Sequence, residues 1–60
     1  MFKLKIETNN AAFEGDTTEK TKEVVRILKD AILKLEQGND RGILLDINGN
    51  LVGEFRLTNR

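Results

Sequence analysis

Ile43-Leu44-Leu45-Asp46-Ile47-Asn48-Gly49-Asn50-Leu51-Val52-Gly53-Glu54-Phe55-Arg56-Leu57 is the stretch that decides the fold. Two apolar runs flank a cluster of turn-forming residues, the pattern of a β-hairpin. Its register follows from which side chains must share a face. A two-residue turn at Asn48-Gly49 would pair Leu45 with Val52 and set Asp46 beside Leu51, mixing polar and apolar residues on both faces. A three-residue loop of Asn48, Gly49 and Asn50 pairs Ile47 with Leu51 and Leu45 with Gly53. Ile43, Leu45, Ile47, Leu51, Phe55 and Leu57 then make one buried face. Asn50 takes the left-handed position, where Asn is tolerated. Leu44 and Val52 fall on the opposite, uncovered face.

Upstream, residues 17–37 read as a helix closed by Gly38 in a left-handed conformation. At 100° per residue, Val24, Val25, Ile27, Leu28, Ala31, Ile32 and Leu35 share one broad arc, wide enough to cover a sheet. Asp16 with Glu19 has the spacing of an N-cap and its capping-box partner, with Thr17 as the alternative cap. A helix of this length spans roughly 32 Å. A seven-residue strand spans only ~23 Å, so the helix should overhang its sheet.

Further out, residues 2–8 alternate strictly: Phe2, Leu4 and Ile6 point one way, Lys3, Lys5 and Glu7 the other. That period is a strand with one buried face. The loop 9–16 opens on Asn9-Asn10 and holds one large apolar residue, Phe13, expected to tuck under the helix start. The elements amount to a single α+β domain, β-α-β-β: strand 2–8, loop 9–16, helix 17–37, hairpin 42–58. Its three-stranded, mainly antiparallel sheet has the long helix packed on one face. Order 1-3-2 makes every pairing antiparallel; order 1-2-3 with a right-handed crossover is the alternative.

Composition narrows the function. Sixty residues bury only ~60% of the surface their unfolded form exposes. Without Cys or His, neither a disulfide nor a zinc-type site can compensate. A homodimer is therefore expected, and no cofactor. Ten basic and ten acidic side chains cancel, so no global field draws nucleic acid or an anionic membrane. The alternating start, lacking a continuous apolar run, reads as neither a secretion signal nor a membrane span.

Candidate chemistry is sparse. Asp46-Ile47-Asn48-Gly49-Asn50 superficially matches a calcium loop, but its glycine comes too early and Leu57 stands where the closing Glu should be. Asp46 and Glu54 could converge on the polar sheet face, where Lys5 or Arg56 would pair with them as exposed ions. General acid–base or nucleophilic catalysis needs a positioned base in a shielded site, and this chain offers neither. The expectation is a non-enzymatic protein. Lys22, Arg26 and Lys29 fall on one helix stripe, a place for nucleic acid, although Glu19, Glu23 and Asp30 interleave with them. Leu33 sits exposed among these charges. Leu44 and Val52 on the open sheet face, and Asn9, Asn10 and Phe13 in the loop, complete the candidate binding residues.

The chain also resembles very short open reading frames of tailed bacteriophages and prophages. The resemblance rests on Phe2-Lys3-Leu4-Lys5-Ile6-Glu7-Thr8-Asn9-Asn10-Ala11-Ala12-Phe13 and on Glu23-Val24-Val25-Arg26-Ile27-Leu28. It closes with Gly42, Asp46-Ile47-Asn48-Gly49-Asn50 and Val52-Gly53-Glu54-Phe55. It implies a phage-type context in the cytoplasm of a host bacterium, with no site residue to carry over. The expected function is binding to a host macromolecule, as an inhibitor of a defence or regulatory protein. Nucleic-acid binding and a small-nucleotide sponge with its site between subunits are the alternatives.

Overall fold

Local pattern becomes architecture as follows in the computed structural model, which describes residues 1–9, 13, 15 and 17–58. Strand β1 is Phe2–Ile6, helix α1 Thr17–Glu36, strand β2 Arg41–Leu45 and strand β3 Leu51–Leu57. The sheet order is β1-β3-β2 and both pairings are antiparallel. The helix packs on one face of the sheet, chiefly over β2. The expected Asp16 cap lies outside the described residues, as does Asn10. The helix ends as its glycine predicts: Gly38 has φ 92°, its N–H reaches Leu35 O at 3.0 Å, and Asn39 N–H reaches Lys34 O at 3.1 Å.

The core consists of Phe13, Ile27, Ala31, Leu44, Val52 and Phe55, with Leu4, Ile6, Val24 and Leu35 packed against it. Phe13 thus packs into the core, as its isolation among small residues suggests. Being 2% exposed, it is not a surface contact.

The hairpin corrects the expected register. The loop has three residues, but they are Ile47, Asn48 and Gly49. Gly49 N–H donates to Asp46 O at 3.0 Å and Asp46 N–H to Asn50 O at 2.9 Å. Gly49, with φ 82°, takes the left-handed position expected of Asn50. Glycine has no Cβ to clash there and outcompetes asparagine.

A second correction inverts the faces of β2 and of the first residues of β3, while Phe55 keeps its expected place in the core. Leu44 pairs with Gly53 and Leu45 with Leu51, so Val52 is an extra residue on β3, a β-bulge. Without the bulge, Val52 and Phe55 would point to opposite faces. With it, both turn to the helix and join Leu44, at 4%, 2% and 0% exposure. Leu44 and Val52 are therefore core residues, not the uncovered-face contacts expected. Ile43, Leu45, Ile47 and Leu51, assigned to the core by strict alternation, are exposed instead. Gly53 makes the arrangement fit: a Cβ there would run into the Lys5 carbonyl of β1.

Candidate functional site

Buried charge locates the most constrained contacts. Glu23 is 8% exposed and faces the turn end of the hairpin. Its carboxylate accepts from Arg26 Nε at 2.6 Å and from Ile47 N–H at 3.0 Å. Arg26 also donates from Nη2 to Leu45 O at 3.1 Å, and Lys34 Nζ donates to Ile43 O at 2.6 Å. Three side chains on one helix flank thus satisfy outward-facing backbone groups of β2 and the turn. The Arg26 hydrogen bond is the main force holding the Glu23 carboxyl below its ordinary value of 4.5; burial opposes it and the Ile47 amide assists. The same contact raises the Arg26 guanidinium.

Asp46, 4% exposed, turns its carboxylate onto its own loop, accepting from Asn48 N–H at 2.9 Å and Asn50 N–H at 2.8 Å. It therefore does not meet Glu54 on the polar sheet face, as its sequence position suggests. These acids are fastenings: among the described residues every buried side-chain nitrogen or oxygen has a partner. No three carboxylates converge on a metal-sized site among those residues. No helix in them is long and apolar enough to cross a membrane.

The expected cationic stripe is broken by this arrangement. Lys22 and Lys29 are exposed, but Arg26 between them is bent onto Glu23 and Leu45. Asp30 pairs with Lys34 at 3.1 Å, while Arg26 takes Glu23 at 2.6 Å. Leu33 is exposed, and so is Asn9. The helix arc is only partly used. Ile27 and Ala31 are buried and Val24 and Leu35 half-buried, while Val25, Leu28 and Ile32 stay exposed. The helix is rolled so that its polar flank, hooked onto β2, takes the place of part of its apolar arc.

Besides these helix residues, the sheet's outer face carries an exposed apolar group. Leu45 and Leu51 pair across β2 and β3, with Ile43 two residues along on the same side. They are 39%, 66% and 54% exposed, and Ile47 at the turn is 71% exposed. Around them the register places Lys5 opposite Glu54, and a row of cations, Lys3, Arg56 and Arg41, across all three strands. The apolar half of this patch was assigned to the core by alternation; Gly53 following Val52 was the signal for the bulge that exposes it. No family model, no curated protein and no solved structure matches the chain.

Proposed function

We propose that this chain is a non-enzymatic, phage-type binding protein, acting as a homodimer in a host bacterium's cytoplasm, that docks on a host protein. Its docking surface is the outer sheet face, and its effect is to inhibit a defence or regulatory protein. The observation that carries this reading is the patch of Ile43, Leu45, Ile47 and Leu51, apolar and open, rimmed by Lys3, Lys5, Arg41, Glu54 and Arg56. An apolar centre inside a polar rim is the anatomy of a protein interface. The phage-type context rests on the resemblance of the sequence segments given above.

Pull-down from a bacterial lysate tests it, with Ile43→Asp and Leu51→Asp as controls. The native chain should retain one host protein that neither variant retains, while both variants keep the native melting temperature. Recovery of nothing above background, or equal recovery by the variants, would overturn it.

One observation favours a second reading. The row Lys3–Arg56–Arg41 concentrates positive charge at one end of the open face, although Asp40 lies 3.6 Å from Arg41. Nucleic acid held there would bind through phosphates and weaken steeply with salt. Gel shifts at low salt with no retardation of DNA or RNA would remove this alternative.

A further inference from the structure

Among the described residues, nothing covers one edge of the sheet. Glu7 N–H donates to Val52 O at 2.7 Å and Thr58 N–H to Met1 O at 2.9 Å, so odd-numbered residues of β1 turn their backbone groups toward β3. By alternation, those of Phe2, Leu4 and Ile6 point outward. They have no hydrogen-bond partner among the described residues. Such a row of unpaired donors and acceptors is a template for another strand.

We infer that the strand it takes is β1 of a second copy, antiparallel about a two-fold axis through Lys5. The inference rests on the homodimer proposed above and names its interface. Since only even residues point outward, the two-fold must pass through a residue. A centre at Ile6 would set Leu4 against Thr8, beyond the strand, and one at Lys3 would oppose no unlike charges, which leaves Leu4 and Lys5. Centred on Leu4, the pairing sets Lys3 opposite Lys5 of the second copy, a like-charge contact on both sides of the axis. Centred on Lys5, it sets Lys3 opposite Glu7 of the second copy and Glu7 opposite its Lys3. The same register places Leu4 directly against Ile6 of the second copy, on the helix side where each is already half-buried. The only like pair is Lys5 with its counterpart, and each of these has its own Glu7 at 3.2 Å and Glu54 across the strand pair. Opposite charges and apolar pairs directly facing across strands are stabilising, like charges destabilising. A two-fold interface needs a self-complementary patch, and β1 is one in this register.

Sedimentation of the full chain with charge-swapped variants is the test. The native chain should dimerise, and Lys3→Glu or Glu7→Lys alone should weaken association by about tenfold, since each converts both cross-axis pairs to repulsion. The double variant Lys3→Glu/Glu7→Lys should recover dimerisation, a rescue that a role confined to one copy would not produce. Amides of Leu4 and Ile6 should become protected from hydrogen exchange as concentration rises. A sharp monomer at high micromolar concentration overturns the inference, as does a dimer indifferent to both single swaps. A monomer that still captures the host protein removes this interface and leaves the docking face standing.

Discussion

β1 and β2 are the two edge strands of one sheet, and the chain treats them in opposite ways. Along β2, Arg26 and Lys34 occupy the carbonyls of Leu45 and Ile43, and Glu23 takes the Ile47 amide at the turn beyond. Along β1, the outward groups of Phe2, Leu4 and Ile6 meet none of the described residues. The difference comes from the helix, whose polar flank reaches over one edge only. A protein too small to cover both edges has closed one with long charged side chains, which snorkel around apolar surface to reach backbone. The edge left bare is a place for association.

The largest expected effect comes where β1 joins the sheet. Among the described residues its only strand neighbour is β3, and the close approach of the Lys5 carbonyl to Gly53 leaves no space for a methyl group. Gly53→Ala should therefore cost about 3 kcal/mol, at the high end for overpacking, because the obstacle is backbone that cannot rotate away. Urea unfolding would show a lower midpoint, and hydrogen exchange should show the Lys3 and Lys5 amides losing protection before those of β2. An unchanged midpoint would mean that β1 and the bulge do not approach this closely.

Closing of the β2 edge is tested at Glu23. Glu23→Ala strips the part-buried Ile47 amide of its acceptor and frees Arg26 from its charged partner, a loss of about 2 kcal/mol. The same carboxylate makes this edge acid-sensitive. Its folded value lies below the unfolded one, so its contribution is complete above pH 4.5 and disappears as pH falls through the lowered folded value. Melting temperature against pH should show this decline in the native chain, and Glu23→Gln should lack that part of it. Identical acid profiles for the two would assign the decline to other carboxylates.

The same contrast explains which parts of the structure were legible in the sequence. β1 was readable because its alternation is unbroken: Leu4 and Ile6 do pack toward the core. The helix and its glycine stop were readable because an apolar period and a terminating glycine are local signals. Chain direction left two strand orders open, and the structure takes the one in which both pairings are antiparallel. The hairpin's faces were not readable by alternation, because the bulge at Val52 shifts the period in mid-strand and exchanges Leu44 for Leu45 at the core. The loop length was legible, but its position turned on Gly49 outcompeting Asn50 for positive φ. Glu23, Arg26 and Lys34 were not readable as contacts to β2, since nothing in a helical wheel reveals which charges will meet a strand edge. The open face was anticipated, with the wrong side chains on it.

Lys34 offers the smallest and most selective test. Its ammonium binds Ile43 O at 2.6 Å but also Asp30 at 3.1 Å, and the side chain is 30% exposed. Lys34→Met keeps most of the stem and deletes only the charge. Water can then reach the Ile43 carbonyl, whose residue is itself exposed, so the loss should be about 0.5 kcal/mol. In a domain of this size that is a shift of roughly 2–4 °C in melting temperature. The variant leaves Arg26 and Glu23 holding the turn end of β2 and uncovers only its middle. If helix side chains keep this edge from pairing, Lys34→Met should self-associate more than the native chain at equal concentration, by a route that survives Lys3→Glu. Self-association that Lys3→Glu abolishes equally in both would place all pairing at β1 and show that β2 needs no guard at Ile43.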